Sequence, residues 1–300
     1  MAKARAIVKR RKAVRNIRKI TRTMQMIATA KFQKSLKRAV GTKPYSLKIR
    51  EIIGDVAASA GDVDHPLLRA PSEKTSSGRV AFVLLTSNRG LAGGYNGNVI
   101  RTSVNRLKEL EGAGKTVDLY VVGKKGISFM TFSKRPMTDK IAISDPPKFA
   151  EVEALADRLM EQYGHGQIDA VYVGYMNFLS AGSQKPDVMQ LLPLATLDAA
   201  KPQAAATPTA GGTKVVYEFS PDPKELLNEL IPLAVKTAFF QTFLDATTSE
   251  HVARMVAMKA ATDNAEEMQK ALSLQYNRAR QSQITTELSE IMGGVESMKS

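Results

Sequence analysis

A stretch of 68 residues near the C-terminus restricts the fold more than any other feature. Between Lys224 and Ile291 it contains Pro232 and no other proline or glycine. Pro221-Asp222-Pro223 before it and Gly293-Gly294 after it predict where a helix begins and ends. Such a helix is about 100 Å long, which is typical of a coiled coil, because no compact domain encloses it. Its apolar residues recur at helical spacing: Val252, Met255, Val256, Ala265, Met268, Leu272, Ala279, Leu288 and Ile291.

The N-terminal residues predict a partner for that helix. Residues 3–40 lack glycine and proline, and their apolar positions indicate a helix packed along one seam. Gly41 and Pro44 weaken the pattern before it resumes through Val56, so Pro44 either kinks the helix or begins a new one. We therefore expect an antiparallel coiled coil between a helix of residues 1–58 and a helix of residues 223–295. The apolar positions are Ile7, Val14, Ile17, Ile20, Met24, Ile27 and Ala28.

The middle of the chain has a different pattern. Apolar runs of strand length at Arg79–Thr86, Thr116–Val122 and Asp169–Tyr175 alternate with amphipathic helical segments at 98–111 and 151–163. This alternation is typical of a mostly parallel α/β sheet. The sequence thus predicts an α+β protein, in which an α/β domain of residues 75–220 is inserted between the two long helices. Residues 199–213 are rich in Ala, Pro and Thr and are expected to form a surface loop.

The distribution of charge indicates an acidic partner. The net charge is +14, yet the first 50 residues contain 17 Lys or Arg and no acidic residue, so the remaining 250 residues sum to −3. Nucleic acid, anionic lipid and an acidic protein surface all fit a basic helix. The basic segment has one aromatic residue, Phe32, before Tyr45, and no nucleic-acid reading module. Its apolar positions, in turn, require a partner helix. Composition alone supports a nucleic-acid partner and a protein partner equally.

No catalytic or metal-binding motif stands out in the sequence. Cysteine is absent, and His65, His165 and His251 are far apart, so a thiolate nucleophile and the usual zinc spacings are excluded. The glycine-rich segment Ser87–Asn98 matches neither a dinucleotide fingerprint nor a P-loop, and we expect tight turns there and at Gly123–Gly126. No apolar run approaches the roughly 18 residues of a membrane helix. We therefore expect no active site, cofactor, metal ion or transmembrane segment in this chain.

Four segments resemble the gamma subunits of F-type ATP synthases. Lys19–Lys31 (KITRTMQMIATAK) is similar to that family's N-terminal signature, and Thr86–Asn98 (TSNRGLAGGYNGN) is similar to a central block. Ser249–Ala265 (SEHVARMVAMKAATDNA) and Tyr276–Gly294 (YNRARQSQITTELSEIMGG) resemble its C-terminal hallmark. These segments occur in the family's order and span nearly the whole chain, and a bacterial member fits them best.

The resemblance implies a mechanical role. It implies a central rotor shaft inside a ring of three alpha and three beta subunits that holds the nucleotide sites, with an epsilon subunit on the α/β domain. A proton-driven membrane ring turns the shaft, which couples proton flow to ATP synthesis or hydrolysis at the cytoplasmic face of a bacterial plasma membrane. Asn88 and Ala92 replace the family's common Asp and Cys, and the cysteine-bearing insert of chloroplast members is absent. The alternative is a basic coiled-coil protein that binds nucleic acid.

The resemblance also implies contact residues. The expected beta-subunit contacts are Arg280, Gln281, Met24, Arg254, Lys19 and Arg22. Arg280 and Gln281 match residues that hydrogen-bond a loop of beta, where the arginine would bind carboxylates. Met24 and Arg254 match positions that face an acidic lever of beta. The neighbouring Lys19 and Arg22 add electrostatic attraction to that lever. Tyr217 matches a region that contacts the membrane ring. Each of these side chains has an alternative role in packing the coiled coil.

Overall fold

The computed structural model describes residues 2–60, 65–69, 76–194 and 223–298. They belong to two compact units, one of Met1–Ala30 with Ala253–Ser300 and one of Lys31–Val252. We call them the two-helix unit and the α/β unit. Tyr217 and the expected loop 199–213 lie outside the described residues. Within the described ranges, no helix combines the length and the apolar character that crossing a bilayer requires.

Five helices and five strands form the described part of the chain. Both terminal segments are continuous helices, so Pro44 does not begin a new helix. The helix at the C-terminus continues past Gly293 and Gly294 to Ser297, because neither glycine adopts the positive φ of a helix-ending cap. In chain order the elements are α1 Ala2–Ala60, β1 Arg79–Leu85, α2 Tyr95–Gly112, β2 Thr116–Val122, α3 Lys124–Phe132, β3 Asp139–Ile141, α4 Phe149–Gly164, β4 Ala170–Ser180, β5 Ser183–Leu192 and α5 Pro223–Ser297.

The strands form one sheet in the order β3-β2-β1-β4-β5. The first four are parallel and β5 is antiparallel to β4, which confirms the predicted, mostly parallel sheet. Three elements were not predicted: α3, β3 and β5. Strand β5 lies at the edge, carries Pro186 and alternates weakly, which hides it from a search for apolar runs. The turn expected at Gly123–Gly126 is in fact the start of α3, with Gly123 at φ 93° as its cap residue.

The core of the α/β unit includes parts of both long helices. Residues 49–56 of α1 and 227–246 of α5 pack with the sheet and α4 in one apolar cluster. Within it Val83, Leu159, Leu192 and Phe239 are fully buried. The compact units therefore divide inside the two long helices, whereas the predicted domains 1–58, 75–220 and 223–295 follow the helix ends. That domain division stays a prediction.

Candidate partner-binding surface

The seam of the two-helix unit is narrow. Val14 of α1 and Ala265 and Leu272 of α5 form one buried apolar cluster in it, with Ile7 packed against them, and Ala28 and Met258 are buried farther along. Val14 and Ala265 have small side chains. Val14, Ala265 and Leu272 are each between 6% and 9% exposed. A pair of helices can enclose only the strip between them, so most of the helical surface faces outward.

Three polar contacts fix the pairing of the helices. The hydroxyl oxygens of Thr21 and Thr262 are 2.8 Å apart and buried. Arg18 pairs with Glu266 at 3.2 Å, and the Arg11 guanidinium lies 5.0 Å from the centre of the Tyr276 ring. Positions descend in α1 as they rise in α5, which confirms the antiparallel arrangement for residues 2–30 and 253–298. None of these contacts was predicted, since residue types alone do not reveal the register between two helices.

Much of the predicted seam is exposed. Ile20 is 62% exposed and Ile291 is 67% exposed, although both follow the apolar periodicity of their helices. The expectation that all of the periodic apolar residues face the partner helix is therefore wrong, because the apolar stripe is wider than the strip that two helices bury. Large exposed apolar surfaces are typical of protein interfaces. The other periodic residues that are about half exposed or more are Ile17, Ile27, Val256, Met268 and Leu288.

The six expected beta contacts differ in exposure. Arg280, Gln281, Lys19 and Arg22 are exposed, and Met24 is half-buried. Arg254 departs from the expectation because it is only 7% exposed and is engaged within this chain. Its alternative role in packing is therefore better supported than direct contact with another subunit. The positions of the other five leave their predicted contacts open to a partner.

The structure does not gather these residues into one site. Lys19, Arg22 and Met24 follow one another over less than two turns of α1, and Arg280 and Gln281 are adjacent on α5. Because Arg11 meets Tyr276 and Thr21 meets Thr262, Met24 and Arg280 are separated by about 25 Å along the helices. A partner that touches both groups must be large or must contact the helices at two levels.

Charge is unequally divided within the two-helix unit. Residues 1–30 contain ten Lys or Arg and no acid, whereas residues 253–298 carry both signs. Asp263, Glu267, Glu287 and Glu290 are exposed on α5, as expected for a solvated helix face. Glu266 differs, since it pairs with Arg18. The α1 side is thus basic and the α5 side is mixed, so the unit presents different electrostatic surfaces to different neighbours.

The glycine-rich segment after β1 is held by its own side chains. The Ser87 hydroxyl donates to the Arg89 carbonyl at 2.6 Å, and the Ser87 amide donates to Asn96 Oδ1 at 3.0 Å. Gly123 approaches so closely that a Cβ there would lie 2.1 Å from the Thr86 carbonyl oxygen. These contacts account for Ser87 and Asn96 as turn residues and for Gly123 by its close approach to the end of β1. In the described part of the chain, no three His, Asp or Glu side chains are grouped as a metal site.

Comparison with known proteins identifies relatives over the full length. A family model described as ATP synthase matches residues 3–298. The ATP synthase gamma chain of Rhodopirellula baltica is 42% identical over 300 residues, covering all of both chains. That of Leptospira biflexa is 40% identical over 299 residues, covering 99% of this chain and all of the relative.

Solved structures show the same fold in more distant proteins. A chain of the Euglena gracilis mitochondrial ATP synthase, solved by cryo-EM as an OSCP/F1/c-ring assembly in rotational state 3, has a TM-score of 0.65 at 19% identity, covering 99% of this chain and 95% of that chain. A chain of the Tetrahymena thermophila central stalk and c-ring has a TM-score of 0.54 at 23% identity, covering 81% of this chain and 99% of that one. The family model and the full-length relatives show that the chain belongs to the family of ATP synthase gamma chains.

Proposed function

We propose that this chain is the central rotating stalk of a proton-translocating F-type ATP synthase. It couples rotation of a membrane ring to ATP synthesis or hydrolysis on three alpha and three beta subunits, and so regulates ATPase activity and proton flow. The observation that carries the proposal is the two-helix unit, whose exposed apolar rows require a covering partner. Catalysis belongs to the surrounding ring, and this chain holds no catalytic site of its own.

The asymmetry of the two-helix unit is the physical basis of the coupling. Its basic α1 side and mixed α5 side cannot make the same contacts with three identical neighbours at once. A subunit that meets the basic side gains from its own acidic surface, while another that meets α5 does not. Because a contact shifts a conformational equilibrium by its differential affinity for two states, rotation of the unit changes each neighbour's state in turn.

Contacts with beta would use the exposed side chains of both helices. Arg280 can donate several hydrogen bonds to carboxylates in a fixed geometry, and Gln281 beside it adds donors and an acceptor. Lys19 and Arg22 add positive charge on α1 near Met24, where they would attract the acidic lever of beta. Arg254 would act from its buried position by supporting the helix rather than by binding beta directly.

The remaining partners follow from the same assembly. An epsilon subunit would bind the α/β unit, and Tyr217, which lies outside the described residues, would contact the membrane ring. The ring places the chain peripherally at the cytoplasmic face of a bacterial plasma membrane. Support for a bacterial assembly comes from the relatives, which are ATP synthase gamma chains of bacteria.

Native mass spectrometry of the chain co-expressed with alpha and beta subunits from the same source tests this proposal. We expect a 3:3:1 complex of alpha, beta and this chain with ATPase activity. Replacing Arg280→Ala together with Gln281→Ala should leave the assembly intact. It should lower ATPase activity roughly tenfold or more, since charge-assisted hydrogen bonds contribute about 1.5–3 kcal/mol each.

A neighbouring pair on the same helix provides a matched control. Asn277→Ala together with Arg278→Ala removes an exposed amide and an exposed arginine within one turn of the tested pair. We expect this control to keep ATPase activity close to that of the unmodified complex. A chain that stays outside the ring and binds DNA with a steep dependence on salt would instead support the nucleic-acid alternative.

A further inference from the structure

The main apolar cluster of the α/β unit includes only part of each long helix. The core uses residues 49–56 of α1 and 227–246 of α5, whereas the unit itself extends to Lys31 and Val252. Beyond the core, Phe32 touches Phe178 of β4 at 6.2 Å between ring centres. The loop between β3 and α4 faces the middle of both helices. Its Ile143 belongs to the apolar cluster, and its Asp145 makes polar contacts.

Asp145 in that loop contacts both long helices. Its Oδ2 accepts a hydrogen bond from Lys31 Nζ of α1 at 2.8 Å, and its Oδ1 lies 3.6 Å from His251 Nε2 of α5. The His251 ring, followed by Lys31, holds the pKa of the Asp145 carboxyl well below its usual range, although partial burial opposes this effect. The carboxylate is therefore charged at neutral pH, where it pairs with Lys31 and lies within reach of the His251 ring.

Apolar packing does not close the space beside these contacts. A cavity of about 140 Å³ lies between the loop and the two helices. It is lined by Pro146, Pro147 and Leu244 together with Lys31 and His251. Beside this gap, the two contacts of Asp145 are direct polar links from the loop to α1 and α5.

The loop itself is fixed to α4. Glu151 Oε2 accepts hydrogen bonds from the Ser144 amide at 2.9 Å and from the Ser144 hydroxyl at 2.7 Å. Asp145 therefore lies on a loop that is anchored to α4 by hydrogen bonds. We propose that Asp145 is a positioning residue that ties the β3–α4 loop to both long helices at the margin of the apolar cluster of the α/β unit.

The ion pair between Lys31 and Asp145 is too weak to hold the fold together, which limits Asp145 to a positioning role. The side chains of Lys31 and Asp145 are 41% and 38% exposed, and such pairs contribute little to global stability. The apolar cluster supplies most of the stability, while Asp145 limits how far the helices move relative to the loop. In a rotating stalk this would keep helices and sheet turning together, a consequence that rests on the proposed function.

The absence of cysteine from the chain permits a direct test by spin labelling. Labels at Lys37→Cys on α1 and Ala142→Cys in the loop are both on exposed positions. Pulsed electron paramagnetic resonance on the full chain then measures the distribution of distances between them. We expect Asp145→Asn to raise the fraction of molecules outside the main distance peak about fivefold, as loss of roughly 1 kcal/mol would.

Asp139→Asn is the matched control. Asp139 pairs with Arg158 at 2.9 Å and is 40% exposed, close to the 38% of Asp145, but it links only β3 to α4. We expect no broadening in this control and recovery of the narrow distribution in Asp145→Glu. Lys31→Met combined with Asp145→Asn should broaden the distribution no further than Asp145→Asn alone, because both changes break the same contact between Lys31 and Asp145.

Each outcome decides the proposal. Broadening in Asp145→Asn with a narrow distribution in Asp139→Asn supports the positioning role. Equal distributions for Asp145→Asn and the unmodified chain overturn it, as does equal broadening in the control. The test is independent of the rotor proposal, because failure of the chain to assemble with alpha and beta rejects that function while the label distances still decide the role of Asp145.

Discussion

The two units bury their apolar residues to very different degrees. In the α/β unit, Phe82, Val83 and Leu84 of β1 are fully buried between layers of helix. In the described part of the two-helix unit the buried apolar residues are Val14, Ala28, Met258, Ala265 and Leu272, and side chains as large as Ile20 and Ile291 remain more than 60% exposed. The first unit encloses a core of its own, whereas the second resembles one half of an interface.

This difference indicates what each unit needs in order to fold. A sheet covered by helices removes enough apolar surface from water to offset the loss of chain entropy. Two helices that share only a narrow strip gain far less, and long isolated helices depend on packing for most of their stability. The two-helix unit therefore gains most from a partner that covers Ile20, Ile291 and their neighbours.

The largest effect is expected from a pair of side-chain truncations, one in each unit, which tests the comparison. Phe239 is fully buried and packs edge-on against Phe243, with ring centres 5.1 Å apart. Phe239→Ala should lower the free energy of unfolding of the α/β unit by about 3–5 kcal/mol because it leaves a cavity. Ile20→Ala should change the free energy of unfolding by no more than about 0.5 kcal/mol, as at other exposed positions.

Urea unfolding of the full chain, followed by circular dichroism, measures both effects. Ile20→Ala should instead weaken assembly with alpha and beta in native mass spectrometry, since the loss there falls on the interface. If Ile20→Ala destabilised the free chain as much as Phe239→Ala, the two-helix unit would have a core of its own and the comparison would fail.

The fold was predictable where a local pattern is strong. The runs that became β1, β2 and β4 are apolar throughout because parallel strands are buried on both faces. Strand β5 was missed because its edge position tolerates Pro186 and polar side chains. Helix α3 was missed because it is 9 residues long and begins with Gly123-Lys124-Lys125-Gly126, which has the composition of a turn.

The candidate surface was predictable only in part. Helical periodicity identified apolar residues but could not separate the buried Val14 from the exposed Ile20, because that depends on the register with α5. The motif match placed Arg280 at an exposed position, yet it gave no warning that Arg254 is buried. The contacts of Asp145 were also beyond the sequence, since its partners lie 114 and 106 residues away along the chain.

A smaller effect is expected from the buried hydroxyl pair in the narrow seam. Thr262→Val keeps the shape of the side chain and removes one hydroxyl, while Thr21 keeps its bond to the Arg18 carbonyl at 3.1 Å. We expect a loss of about 0.5–1.5 kcal/mol, seen as faster amide hydrogen exchange in residues 2–30 and 253–298. The exposed Thr23→Val serves as the control.

The double replacement sharpens this test. When Thr21→Val is added to Thr262→Val, both partners become apolar groups of the same shape, so the double variant should be no less stable than Thr262→Val alone. A double variant that loses the sum of two full hydrogen bonds would show that the bonds of Thr21 to the Arg18 carbonyl and of Thr262 to the Met258 carbonyl carry the stability, and that the pair does not fix the helices.

A gain in stability, rather than a loss, is expected from one replacement inside the α/β unit. Asp245 is 5% exposed, and burial raises the pKa of its carboxyl above the usual 3.8, opposed by the charge of Lys43 and a hydrogen bond from Gln241. Above pH 3.8 the unfolded chain ionises first, so stability falls as pH rises through the folded pKa. Asp245→Asn should therefore stabilise the chain at pH 7 by about 1 kcal/mol.

Urea unfolding at a series of pH values measures this gain. The advantage of Asp245→Asn should shrink as pH falls toward 3.8, where the carboxyl of the unmodified chain regains its proton. Asp139→Asn, at a half-exposed ion pair, should show no such gain at neutral pH. A lower stability of Asp245→Asn at pH 7 would mean that the charge of Asp245 is needed, with Lys43 as its partner.

The smallest effect is expected at the ion pair of the two-helix unit. Arg18 and Glu266 are 33% and 44% exposed, so water screens their attraction. A double-mutant cycle of Arg18→Gln and Glu266→Gln should give a coupling of about 0.2–0.5 kcal/mol that vanishes near 1 M salt. In a seam this narrow, such a contact selects the register of the helices more than it stabilises them. A coupling above about 2 kcal/mol that resists salt would show instead that the pair is desolvated and that the two-helix unit is held by its own contacts.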